Sequence, residues 1–151
     1  MKWILTVGYL LLAATFCVSQ TAPATADAED YSGMYSFVHE GEFVQLTVEN
    51  SGKVTGFISR FGDSEGDKGA FLNQFFKQGN LDGSDLSFTT ETVHAVWFDF
   101  KGKVSRGKGK THADEAFYVI KGTLIEYRTD LDKKVSATPR EVTFESFPQS
   151  P

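Results

Sequence analysis

The sequence predicts an all-β domain: an antiparallel up-and-down barrel of about eight strands, with a short helix around residues 70–76. Three observations predict it. Apolar and polar residues alternate with period two along most of the chain, and turn residues interrupt that alternation at short intervals. A G-x-[VL] pattern recurs at Gly52-Lys53-Val54, Gly79-Asn80-Leu81, Gly102-Lys103-Val104 and Gly122-Thr123-Leu124. The last three place glycine inside strands, where the strands of a small barrel bend or approach closely.

The chain begins with one charge, Lys2, and then runs apolar from Ile4 to Val18. A spanning helix needs roughly 20 apolar residues, whereas an export leader needs about 7–15 followed by small residues. Residues 1–26 therefore read as a signal peptide, cut between 19 and 26 at Ser19, Ala22-Pro23-Ala24 or Ala24-Thr25-Ala26. Residues 27–32 read as a flexible lead and 33–148 as one barrel domain. The expected compartment is periplasmic or extracellular, with no integral membrane segment after cleavage. Cys17 is the single cysteine and follows the bulky Phe16, which disfavours lipid attachment; the mature chain can then form no disulfide.

Gly33 to His39 places Tyr35 and Phe37 on one face. Glu42 to Glu49 alternates Val44, Leu46 and Val48 against Phe43, Gln45 and Thr47. The turn Asn50-Ser51-Gly52-Lys53 leads into Val54 to Phe61, and the polar stretch Gly62 to Gly69 closes that hairpin. Phe71, Leu72, Phe75 and Phe76 stand at helical spacing, so one or two helical turns are expected there before a strand at Gln78 to Leu81. Leu86 to Glu91, Ala95 to Arg106, Glu115 to Tyr127 and Arg140 to Phe147 complete the strands. Loops are expected at Gly107 to Asp114 and Asp130 to Pro139.

Gly33-Met34-Tyr35 at the first strand and Ser51-Gly52-Lys53-Val54-Thr55-Gly56-Phe57 at the next hairpin resemble the opening of calycin-type meander barrels, the group of avidins and lipocalins. In that group the first motif is G-x-W, and Tyr35 stands here for the tryptophan. The resemblance covers Gly33 to Phe147 and implies a barrel that encloses a small ligand. An avidin-like biotin pocket is built from several tryptophans, and the mature chain has only Trp97, so biotin is not the expected ligand. The chain also resembles uncharacterised secreted bacterial proteins, which implies a compartment and no activity.

The net charge of the whole chain is −5, and the leader removes a base but no acid, so nucleic acid is not an expected partner. Aromatic residues carry the leading expectation, a barrel that binds a small apolar or amphipathic ligand among Tyr35, Phe37, Phe57, Phe88, Phe98 and Tyr118. The alternative is an envelope-associated interaction module, docking a protein partner or a second copy through an outer patch of Trp97, Phe117 and Val119. An enzyme ranks third, with His94 as its first residue to test; scattered serines, His94 and Asp99 satisfy composition only, and no catalytic residue set is assigned.

No cofactor and no metal is expected. His39, His94 and His112 are remote from one another, and His112 with Asp114 and Glu115 reads as a solvated turn. Asp63, Glu65 and Asp67 begin like a calcium loop, but Lys68 and Gln74 occupy its glycine and glutamate positions. Gly102 to Lys108 nearly spells a phosphate-binding loop, yet Gly109 replaces the hydroxyl residue and the segment leaves a strand for a loop. Lys101, Lys103, Arg106, Lys108 and Lys110 read as a solvated basic rim, with attraction for an anion or lipid headgroup as the alternative.

Overall fold

The structure, a computed structural model, describes residues 29–149. The leader, its cleavage site and the start of the lead lie outside the described residues. Eight strands follow in chain order: β1 Gly33–Ser36, β2 Phe43–Val48, β3 Val54–Phe61, β4 Phe71–Asp82, β5 Asp85–Thr90, β6 Val96–Arg106, β7 Tyr118–Thr129 and β8 Val135–Glu145. Each pairs antiparallel with the next, giving one meander sheet in the order β1 to β8. The sheet curls strongly, and its two edges meet at a short seam. Tyr35 bridges Ser146, and the Phe147 amide donates to the Met34 carbonyl at 2.8 Å.

The expected helix is absent: residues 71–82 form one continuous strand, and no helix occurs among the described residues. A separation of four residues fits one face of a helix, but it is also a multiple of two. Phe71 and Phe75 therefore share the outer face of β4, while Leu72, Gln74 and Phe76 point inward. The first half of β4 pairs with β3 and the second half with β5, with an irregularity between Phe76 and Gln78 where the strand turns the corner. The expected loop from Asp130 to Pro139 is also shorter, because β8 begins at Val135 and pairs with β7 through Pro139. Proline is tolerated there because this part of β8 is the sheet's outer edge, where a missing amide donor costs no ladder bond.

Three glycines, the recurring Gly102 and Gly122 and also Gly56, show why glycine sits within these strands. Gly102 faces Gly122 across β6 and β7, and a Cβ on either would overlap the opposing backbone. Gly56 adopts φ 153°, and a Cβ there would collide with the Gln45 carbonyl.

Inside, a chain of aromatic rings fills the middle of the barrel. Phe76 stacks on Phe88 at 4.3 Å, Phe88 on Phe100 at 5.1 Å, and Phe100 meets Phe144 at 5.5 Å. Phe37 joins Phe144 to Phe98 at 5.3 and 5.6 Å. One end is plugged. Tyr31 packs edge-on against Tyr118 at 4.9 Å, His112 lies 4.1 Å from the Phe117 ring, and the Arg106 guanidinium sits 4.0 Å over Phe117. Glu29–Ser32, the end of the expected lead, is part of this plug: Glu29 pairs with Arg106 and the Ser32 hydroxyl accepts from the Val48 amide.

Candidate functional site

The opposite end of the barrel is open, and the parity of the strands explains its chemistry. Inward positions are even-numbered on β3, on β4 as far as Phe76, and on β5 to β8. Near the plugged end and the middle they are apolar, as at Val54, Ile58, Phe88, Phe100, Ile120, Leu124 and Phe144. Carried on toward the mouth, the same parity reaches Arg60 on β3, Gln74 on β4, Thr90 on β5, Glu126 and Arg128 on β7 and Arg140 on β8. Polar groups therefore replace hydrocarbon where the interior meets water.

Arg60, Glu126, Arg128 and Arg140 line a cavity of about 260 Å³, and Gln74 and Thr90 are buried behind Arg60. The cavity's size falls just under the roughly 300–1,000 Å³ of pockets that hold drug-sized ligands. Phe37 and Phe98 form an apolar floor; Arg60, Glu126, Arg128 and Arg140 form the walls; His39, Glu42 and Asp63 stand at the rim.

A hydrogen-bonded network fixes these groups. Gln74 is fully buried, and its amide nitrogen reaches the Glu91 and Val96 carbonyls at 2.8 and 2.6 Å and the Thr90 hydroxyl at 3.2 Å. The Gln74 carbonyl accepts from Arg60 Nε at 3.1 Å. The Thr90 hydroxyl also accepts from the Phe98 amide at 3.0 Å, so the network crosses from β3 to β6. Glu42 accepts from the His39 and Phe61 amides, each at 3.1 Å. Glu126 accepts from Arg128 at 3.0 Å and from Arg140 at 2.6 Å.

The loop between β3 and β4 is latched beside the mouth at two points. Asp63 accepts a pair of bonds from Arg128, which hold its carboxyl below the usual carboxylate range. Asp67 contacts His94 Nδ1 through one oxygen and accepts from the Ser64 hydroxyl and amide through the other. These bonds, led by the one to His94, bring the Asp67 pKa down to about 2. His94 and Ala95 both hold left-handed conformations, φ 49° and 63°, which costs non-glycine residues energy and marks a strained turn.

The residues of an acyl-transfer triad thus meet, but in the wrong order. Asp67 lies between Ser64 and His94, so the imidazole does not touch the hydroxyl. The acid beside His94 is Asp67, not Asp99, which lies on the outer face of β6. That partnership spans 27 positions of sequence, so no local spacing could indicate it.

The expected ligand set is divided by the fold. Phe37 and Phe98 line the cavity, Phe88 is part of the buried ring chain, and Tyr35 and Tyr118 lie toward the plugged end. Burial raises the Tyr35 phenol well above its usual range, and its hydroxyl donates to the Tyr31 carbonyl at 2.6 Å. Phe57 is outside: odd positions of β3 face outward, and its ring meets Phe43 and Phe75. Sequence reasoning missed Arg60, Gln74, Glu126, Arg128 and Arg140. The available indication was the inward parity of Ile58 and of Ile120 and Leu124, extended one or two steps further.

Nor does the expected outer patch form one surface. Trp97 stacks on Tyr127 at 5.0 Å near the mouth, whereas Phe117 and Val119 lie at the far end of β7 and are only 5 and 7 % exposed. The loop after β6 covers them: a side chain on Gly107 would meet Val119. The outer aromatic strip is instead Phe43, Phe57, Phe61, Phe71 and Phe75 on β2 to β4, with Phe61, Phe71 and Phe75 exposed by 43, 47 and 58 %.

The basic run on β6 is largely matched by acids. Lys103 pairs with Asp85 at 2.5 Å, Arg106 with Glu29 at 2.5 Å and Lys108 with Glu145 at 3.5 Å. Among the described residues no group of three or more His, Cys, Asp or Glu side chains is placed to hold a metal ion, and no helix is long and apolar enough to cross a membrane.

No protein-family model matches the chain, and no curated protein matches it in sequence. Solved structures do match. The crystal structure of rhizavidin superposes with a TM-score of 0.59 at 12 % identity, covering 80 % of this chain and 84 % of that one. The rhizavidin–biotin complex superposes with the same TM-score and identity, covering 81 % of this chain and 97 % of that one. The chain therefore has an avidin-like, calycin-type fold.

Proposed function

We propose that this protein is an exported binding barrel that takes a small amphipathic ligand at the open mouth. The observation that carries the reading is the cavity of about 260 Å³, which combines an apolar floor of Phe37 and Phe98 with converging guanidinium and carboxylate groups. Pockets of that composition bury a ligand's apolar body while a few fixed polar groups orient it. The barrel's middle is filled by rings, so the ligand sits at the mouth and not along the axis. The shared fold supports the class of function, since rhizavidin has been crystallised with biotin. Biotin itself is not favoured for this chain, whose one mature tryptophan lies on the outer face against Tyr127.

Native mass spectrometry of the protein from the exported fraction tests this directly. The expected result is a reproducible added mass that disappears under denaturing conditions; the bare chain mass throughout would count against the reading.

The strip on β2 to β4 favours a second reading, self-association. Between its phenylalanines lie Gln45, Ser59 and Asn73, so the strip itself carries no charge on a chain whose net charge is −5, and Lys77 and Glu91 flank it beyond Phe75. Two acidic copies approach there without like charges meeting, in a self-complementary pair. Sedimentation should show a dimer that Phe75→Lys dissociates; a wild-type monomer at high concentration would exclude it.

A further inference from the structure

We propose that the mouth is a site for small carboxylic acids, with the carboxylate on the Arg60 guanidinium and the apolar body on Phe37 and Phe98. This rests on the binding reading above and names the class of ligand.

Arg60 is 5 % exposed and lines the cavity. Its Nε donates to Gln74 and its Nη1 to the Phe61 carbonyl at 3.2 Å, but Nη2 is buried with no hydrogen-bond partner. Both protein partners are neutral. The Asp63 carboxylate comes only to 3.9 Å and is committed to Arg128. Glu42 is occupied by the two backbone amides and Glu126 by Arg128 and Arg140. Each carboxylate around the mouth is thus hydrogen-bonded by a donor other than Arg60, and Arg60 Nη2 is the buried donor left without a partner. A buried charged donor in that condition is unfavourable until an anion meets it, and a guanidinium meets a carboxylate through two parallel bonds.

The guanidinium is also held in place before any ligand arrives. Gln74 anchors it from one side, and Phe98 lies 5.7 Å beneath it. Little ordering is left to do on binding, which favours affinity. The lining sets three arginines, Arg60, Arg128 and Arg140, against the carboxylates Glu42, Asp63 and Glu126, so a singly charged anion suits it better than a dianion. A single negative charge matches Arg60, whereas a phosphate dianion would place its second charge among Glu42, Asp63 and Glu126. The cavity's size restricts the apolar part to a ring or short chain.

The test compares phenylacetate with its neutral isostere phenylacetamide by titration calorimetry on the wild-type protein, with inorganic phosphate as competitor. Phenylacetate is expected to bind roughly tenfold or more tightly than the amide, with phosphate failing to displace it. Arg60→Gln is expected to abolish that preference, and Arg60→Lys to keep it at lower affinity. Because Arg60→Gln disturbs the bond to Gln74, the wild-type Arg60 side-chain NMR resonances provide a readout that needs no variant; they should shift on addition of phenylacetate.

Equal affinity for acid and amide, displacement by phosphate, or an unmoved Arg60 resonance would overturn the carboxylate site while leaving the binding barrel standing. Failure of phenylacetate to bind would also overturn the carboxylate site. In that case native mass spectrometry decides the broader reading separately: a bound mass keeps the barrel's function, and a bare chain removes both.

Discussion

Gln74 shows how one side chain sets the character of the mouth. It is fully buried, yet it links the β3 arginine to the turn after β5 and to the start of β6. Replacing it with leucine fills a similar volume but leaves Arg60 Nε and two carbonyls without their donor or acceptor. Each unsatisfied buried group costs about 1–3 kcal/mol, so Gln74→Leu should destabilise the fold by roughly 2–4 kcal/mol after partial relaxation. Urea unfolding measures this; a change below about 0.5 kcal/mol would show that the network is not structural. The phenylalanines provide a contrast in burial. Phe100→Ala opens a hole within the ring chain and should cost about 3–5 kcal/mol. Phe75→Thr, on the outer face of a strand, should cost under about 1 kcal/mol, since it removes little buried area.

At the scale of elements, the segment between β3 and β4 depends on two carboxylates. Both Asp63 and Asp67 have pKa values depressed from 3.8, Asp67 to about 2. A depressed acid stabilises the native contact fully above its unfolded value, and that contribution fades as pH falls through the folded value. The Arg128 and His94 latches should therefore hold above about pH 4 and loosen progressively toward pH 2. Hydrogen exchange across residues 62–70 should rise over that interval while the β6 and β7 amides stay protected. Asp67→Asn should show the raised exchange already at about pH 5; an acid-insensitive loop in the wild type would contradict the latch. In the sequence, Asp63, Glu65 and Asp67 read as a surface loop that only begins like a calcium site; the partners that occupy two of them, Arg128 and His94, are distant in the chain.

For the whole molecule, the consequential features are the long ladders β6–β7 and β7–β8 and the short seam. Gly122→Val would force the backbone of β6 away from β7 at a point where two glycines face each other. That ladder forms much of the barrel wall, so this variant is expected to be insoluble or unfolded; a wild-type circular dichroism spectrum and melting temperature would refute the close-approach explanation. At the seam, the Ser146 hydroxyl accepts from the Tyr118 amide at 3.0 Å, and its backbone bridges Tyr35. Ser146→Ala should cost about 1–2 kcal/mol, and thermal melts would register it.

Alternation and turn chemistry by themselves determined that this chain is an all-β meander of eight strands, because period two is a local property of the backbone and turn residues act over three or four positions. The same pattern put Phe98 and Tyr118 among the interior rings and marked glycines where strands crowd. It did not separate strand from helix at Phe71 to Phe76, since a spacing of four satisfies both periods. Only the tertiary structure decided which end is open, which aromatic rings fill the interior, that Arg60, Glu126, Arg128 and Arg140 converge on one cavity, and that Gln74 anchors Arg60 there. Those residues lie on four different strands, and their meeting depends on curl, register and the position of the seam, which are settled by packing across the whole sheet and not by neighbours in sequence.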